Sequence, residues 1–508
     1  MKPIKRSSAS LSPASPSSLS SRHMDKDASP YVSASFRRHE SLVNSSNKPP
    51  SKEGNRAQEG KEGRQELTAS RGRSPSDGLR PAPYRVVRSL LANGLRLVAI
   101  ETPHLHTASI ALYARVGARY ETRRTNGLSH FVEHMLFRGS RLFGSSYELN
   151  YAIESVGGTL YAETGRDYSL YQIPLHPAEV PRGLEIMGDL FAAPMFSDIE
   201  LERKIIIEEI LEDLDEDGRN VNVDDLSRAT IWGAHPLGFP ITGPLSNVKR
   251  FQTEDVRAHF AEFYGARNMV LCLAGPLSHE KVAPLAAAAF SQLPRGRRAR
   301  PLPARVRGAG PRFRSLHNES AQTHVQLVWE GVPDSDRDYV ALSALSRILD
   351  DGMSTRLHYQ ICDQKGLAYQ VSGGIEPLHD TALLEVDAAC APAKLPALVT
   401  EALSLLAGFR TERVRDEDLA KAKRRYRGDI EAGYDDLDGL SGWYGGTELF
   451  YKPRSHADRV RRFEAVTADE IQRVARRVLD RRRLTVAVVG SLSPSVARRV
   501  RAAIRAYR

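Results

Sequence analysis

Cysteine is almost missing from this chain: 508 residues hold three, Cys272, Cys362 and Cys390. A sparse, odd-numbered set excludes a secreted disulfide scaffold and fits a reducing compartment. Its spacing is also wrong for a cysteine-based zinc knuckle. No apolar run approaches the roughly 18 residues that a membrane-spanning helix needs. Residues 1–83 lack the apolar core of a secretory signal peptide. The chain also lacks a basic face of the kind that grips nucleic acid. Its net charge is +10, but residues 1–83 carry +7 and residues 293–315 carry +8, so the remainder is −5. The excess sits in a tail and a linker rather than on a folded surface, which argues against DNA or RNA as a partner.

What is present divides into tail, half, linker and half. Residues 1–83 are rich in Ser, Pro, Gly and charge, and such a segment cannot bury enough surface to offset its ordering entropy; we expect it to be disordered. Residues 1–24 are Ser-rich, basic and free of acid. That loosely suits an organellar transit peptide, so a mitochondrial matrix location stands as the alternative to a cytoplasmic one; a plain solvated tail, or a start at Met24, is the simpler expectation. From Tyr84 the pattern changes. Leu95–Ala99 and Thr107–Val116 read as two strands of one hairpin or meander. Helical periodicity follows near 126–138, 146–156, 178–193 and 198–216, with a strand over 159–174 after Gly157-Gly158.

The chain repeats itself at long range. A capped helix opens at Thr253-Glu254-Asp255 and another at Thr467-Ala468-Asp469, at an offset of 214. The strand end Leu273-Ala274-Gly275-Pro276-Leu277-Ser278 recurs as Val488-Val489-Gly490-Ser491-Leu492-Ser493, and Thr107-Ala108-Ser109-Ile110 has its partner at Thr323-His324-Val325-Gln326, at offsets of 215 and 216. Final amphipathic helices are expected over 279–290 and 494–506. The expected fold is therefore α+β: two homologous α/β-sandwich halves, 84–292 and 316–508, facing each other across a cleft. Residues 293–315 are the linker. A cleft between duplicated halves is a natural ligand site.

The chemistry concentrates in Gly127-Leu128-Ser129-His130-Phe131-Val132-Glu133-His134-Met135-Leu136-Phe137. On a helix, His130 and His134 stack on one face and both can reach one zinc ion. Glu133 lies on nearly the same face, beside the metal, where a base for an activated water belongs. This is the inverted His-x-x-Glu-His motif. Two surface histidines and a glutamate would be the bland alternative, but the apolar neighbours indicate a buried helix, and buried His and Glu without partners are costly. A third ligand is needed. The acidic helix around Glu200-Leu201-Glu202 to Glu208-Glu209-Ile210 offers one, although periodicity does not choose between Glu208 and Glu209, and a solvated acidic face is the common alternative.

These residues resemble the pitrilysin/insulinase-type inverzincin metallopeptidases, most closely the short two-domain-per-chain form that includes the mitochondrial processing peptidase beta subunit and short bacterial relatives. The resemblance rests on Asn93-Gly94-Leu95-Arg96, Gly117-Ala118-Arg119-Tyr120-Glu121, the segment from Gly127 to Gly139, Gly157-Gly158, Glu202-Arg203 to Glu209-Ile210, and His235-Pro236-Leu237-Gly238 to Gly243. In the second half it rests on Gln322-Thr323-His324-Val325, Gly352-Met353-Ser354-Thr355-Arg356-Leu357 and Gly366-Leu367-Ala368-Tyr369. It spans essentially 84–508.

The resemblance implies one Zn2+ per chain held by His130, His134 and Glu209, with Glu133 as general base and Glu202 orienting the site. It implies Tyr369, from a second half without the motif, as an oxyanion donor. At the repeat offset of 216, Ser346 and Asp350 stand where the first half has His130 and His134. The implied activity is zinc-dependent endopeptidase or oligopeptidase cleavage of unfolded or presequence-like peptides. Partners would be peptide substrates and either a second copy or an Arg-bearing sister subunit. Three positions depart from the family. Cys362 replaces an Arg that works with the tyrosine, so a non-catalytic or partner-dependent subunit is the alternative reading. Tyr161 replaces an Asn on the strand expected to pair with substrate. Asp350-Asp351-Gly352 replaces a glycine-rich turn.

Overall fold

The computed structural model describes residues 82–304 and 310–508. The expectation of a disordered tail falls outside the described residues except for positions 82 and 83, as does the linker over 305–309. The described strands form two sheets. The first contains β1 (Arg85–Leu90), β2 (Arg96–Glu101), β3 (Ala108–Ala114), β4 (Tyr161–Thr164), β5 (Ser169–Leu175) and β6 (Met269–Gly275), in the order β1-β2-β6-β3-β5-β4. The second contains β7 (Arg312–Leu316), β8 (Thr323–Glu330), β9 (Gln370–Leu378), β10 (Thr381–Cys390) and β11 (Leu484–Val489), in the order β7-β11-β8-β10-β9. Each sheet is mixed, with β2 parallel to β6 and β7 parallel to β11.

The repeat reaches the level of hydrogen-bond register. Ser109 faces Ala274 across β3 and β6, and one repeat further on His324 faces Val489 across β8 and β11. Ala108 faces Leu175, and Thr323 faces Cys390, at the same displacement of 215, so Thr323 is the counterpart of Ala108 and not of Thr107, and Leu345 and Leu349 rather than Ser346 and Asp350 stand at the positions of His130 and His134. Two further expectations are corrected. β2 and β3 are not paired, because β6 returns from the far end of the half and inserts between them. The segment 159–174 is a hairpin of β4 and β5, not one strand, because the chain turns through Gly165 and Tyr168, whose backbones are bonded at 2.9 Å.

β3, β6 and β11 are buried along their whole length. Their nearly continuous apolar runs, broken only by Ser109 and Thr485, are those of strands covered on both faces. One face of the first sheet packs on helices, including Leu128–Leu136 through Phe131, Val132 and Met135. The other face (Val98, Ile100, Ala111, Tyr113, Cys272) is covered by Leu440, Tyr444 and Leu449 from the second half. Reciprocally, the helix Val223–Trp232 of the first half places Leu226 on Ala487 and Val489, and Ile231 and Trp232 on Val328 and Leu383, at the second sheet. The covering segments stand at equivalent positions in the repeat. Gly445 is required by the closeness of this cover: a Cβ there would lie 2.6 Å from that of Cys272.

Candidate metal centre

The motif lies on the helix Leu128–Leu136, here the histidine helix, every residue of which is buried. Its start is fixed by Glu121, whose carboxylate accepts from the backbone N–H groups of Gly127 (2.9 Å) and Ser129 (2.7 Å) and from the Asn126 amide (2.9 Å). A carboxylate at a helix N-terminus satisfies free N–H groups and favours the dipole. Gly127 enters the helix at φ 101° with its backbone against Gly243, where a Cβ would approach the Asn126 carbonyl to 2.4 Å. These two glycines press the 235–243 loop onto the start of the histidine helix.

The second contributor is the helix Ile199–Glu212, here the glutamate helix, packed beside the first. Glu209 turns toward the histidines, whereas Glu208 is exposed. The Oε2 of Glu209 is 3.5 Å from Nε2 of His130 and 3.6 Å from Nε2 of His134. The imidazole centroids are 4.7 Å apart, and one donor atom from each of the three residues lies within 4.8 Å of the others. These contacts are longer than good hydrogen bonds. They are close to the roughly 3.3–3.4 Å between ligand atoms that bonds of about 2.0–2.1 Å around a tetrahedral ion would give. Two imidazoles and one carboxylate with a further position open suit Zn2+. The residues present therefore fit one zinc ion.

The surroundings tune the three groups. His134 Nδ1 lies 3.1 Å from Oε2 of buried Glu202, whose carboxylate also receives Arg138 at 3.3 Å. Burial disfavours the His134 cation, but its contacts with Glu202 and Glu209 outweigh this and raise its pKa to about 9. Burial, without such a bond, lowers His130 to about 4, and its Nδ1 has no hydrogen-bond partner. Burial works against ionisation of Glu209, yet the same two histidines hold its carboxyl below the usual range. Glu133 is buried, which raises its pKa to about 7, and its Oε2 accepts from the Thr164 hydroxyl at the end of β4.

Sequence reasoning did not single out Thr164, and it named Glu121 only within a motif, without a role. Thr164 is remote from Glu133 along the chain, and only the β4–β5 turn brings it there.

The second half has no counterpart to this cluster among the described residues. Its helix Tyr339–Leu349 carries no histidine and sends Leu342, Leu345 and Leu349 into the core. Asp350 accepts from the Gly373 N–H at 2.7 Å and Asp351 from Arg347 at 2.8 Å, so the departing acidic turn is tied down internally. Tyr369 is 94% exposed just before β9, with no described contact to the cluster. Cys362 packs against the second core, and burial raises its thiol pKa. Tyr161 is 55% exposed on β4, the edge strand of the first sheet.

An inverted His-x-x-Glu-His helix joined by a glutamate helix, on one of two repeated α/β sandwiches, defines a metallopeptidase fold. The model of the insulinase family (peptidase family M16) matches residues 96–245, and the model of the M16 peptidase inactive domain matches 250–426. The chain belongs to peptidase family M16. It is 30% identical over 429 residues to an uncharacterized zinc protease of Streptomyces coelicolor, covering 82% of this chain and 92% of that protein. It is 25% identical over 403 residues to an uncharacterized zinc protease of Bacillus subtilis, covering 77% and 95%. Among solved structures, a protease from Helicobacter pylori matches with a TM-score of 0.75 at 20% identity, covering 80% of this chain and all of that one. A chain of complex III from Candida albicans matches at 0.68 and 14%, covering 80% and 96%. Among the described residues, no helix is long and apolar enough to cross a membrane.

Proposed function

We propose that this chain is a zinc-dependent endopeptidase or oligopeptidase acting on unfolded or presequence-like peptides. The observation that carries the reading is the convergence of His130, His134 and Glu209 donor atoms beside the Glu133 carboxylate. His130, His134 and Glu209 would hold the ion, and Glu202 would keep the His134 ring oriented through Nδ1. When bound, zinc supplies a Lewis acid that polarises a carbonyl and acidifies water. Glu133 has Oε2 held by Thr164 and offers Oε1 to take a proton from the attacking water and return it to the leaving amine. The outer edge of β4 offers unpaired backbone groups to an extended peptide, and Tyr161 stands where it would meet a substrate side chain. The half over 84–292 is then the catalytic one, and 316–508 closes the chamber without contributing metal ligands.

One observation favours a second reading, a subunit that needs a partner. Tyr369 lacks both the Arg companion, replaced by Cys362, and any contact with the cluster. Hydrolysis of a quenched-peptide library by the purified chain alone, with zinc quantified in the same sample, separates the two. The first reading expects turnover with about one zinc per chain, abolished in Glu133→Gln with zinc retained. Bound zinc without turnover rejects it and favours the partner-dependent subunit.

A further inference from the structure

A second site lies away from the metal cluster, on the opposite face of the first sheet. A cavity of about 320 Å³ opens there between the segment 437–450, the start of the helix Tyr339–Leu349 and the β4–β5 turn. That volume suits a small organic molecule. Its walls are aromatic, including Trp443, Phe450, Tyr451 and Tyr339. Two acids line it, and both are already engaged. Asp334 accepts from the Tyr451 hydroxyl at 2.8 Å and from Arg454 at 3.3 Å. Asp167 is held by Arg119 at 3.0 Å and by the His379 N–H at 2.7 Å.

Two cations lining the same cavity have no acid partner among the described residues. Arg459 and Arg462 are half-buried and have no side-chain hydrogen bond or ion pair among the described residues. The guanidinium of Arg459 instead stacks 3.8 Å over the Trp443 ring. Half-buried guanidinium groups without an acid, next to aromatic walls, select an anion with a planar apolar body. Arginine recognises carboxylates with paired N–H donors, and the rings contribute apolar area.

We propose that this cavity binds a small aromatic carboxylate, with its acid group on Arg459 and Arg462 and its ring against the aromatic wall. The proposal is independent of peptidase activity. The walls come from both halves, since Asp167 and Tyr168 belong to the first and the arginines to the second. A bound ligand would therefore bridge them.

The test titrates the full chain with 3-phenylpropionate and, separately, with its neutral amide, by calorimetry and tryptophan fluorescence. Trp232 and Trp329 are buried to 1% and 0% exposure, so a ligand-dependent emission change reports Trp443. We expect saturable binding of the acid, at least about tenfold weaker binding of the amide, and a loss of about tenfold or more in Arg462→Met. Arg459→Met should lose as much. If unstacking Trp443 lowers that variant's melting temperature, Arg462→Met alone decides. The exposed Arg499→Met should bind as the unmodified chain does. No saturable binding of the acid by about 1 mM, equal binding of acid and amide, or unchanged affinity in Arg462→Met would each overturn the assignment.

Discussion

The Nδ1 atom of His134 lies 3.1 Å from Oε2 of Glu202, so the ring is held from behind while its Nε2 faces Glu209. A carboxylate at Nδ1 keeps a proton there, so the proton that a metal displaces is the one on Nε2. Glu202→Gln keeps the shape and removes the charge. It should weaken zinc affinity about 10- to 100-fold, measured by competition with a chromophoric chelator. An unchanged affinity would show that Glu202 is a bystander.

The seam between the halves carries a second buried arrangement of charge. The Arg119 side chain is 0% exposed and bonds to Asp167 at 3.0 Å, to Asp380 at 2.7 Å and to the Leu302 carbonyl at 2.8 Å. Asp380 sits at the turn between β9 and β10, so one guanidinium ties the first sheet to the other half. Removing one partner of a buried pair leaves uncompensated charge and costs about 3–5 kcal/mol. Arg119→Met should lower the melting temperature by several degrees, and Asp380→Asn in the same chain should restore part of it. A melting curve that does not move would mean that solvent reaches this seam and screens it.

Much of this was legible in the sequence because it depends on spacing along one element. His130, Glu133 and His134 fall on one helix, and helical periodicity alone brings them together. The duplication was legible from three landmarks, and strand register bears it out. What was hidden depends on contacts between elements. Glu208 and Glu209 differ by one position, and only the packing angle of the glutamate helix turns one of them inward. The separation of β2 from β3 was hidden because the intruding β6 comes from the far end of the half. The reciprocal cover of each sheet by the other half left a clue, the nearly unbroken apolar runs of β3, β6 and β11. Yet such runs do not say what lies on the second face.

The last prediction concerns acid. His259 is buried, 3.1 Å from the Ser129 hydroxyl. Burial lowers its pKa from 6.5 to about 3. The unfolded chain binds a proton here below about pH 6.5, while the folded chain stays neutral until about pH 3. Its contribution to stability is therefore complete above the unfolded pKa and is lost as pH falls between those values, by about 1.4 kcal/mol per unit. From pH 7.5 to 5.0 this one residue should remove about 2 kcal/mol. His259→Gln cannot titrate in this range. Its urea midpoint should fall less between the two pH values than that of the unmodified chain, whatever its stability at pH 7.5. Equal drops in the two proteins would mean that His259 is protonated in the folded state, contrary to its dry surroundings.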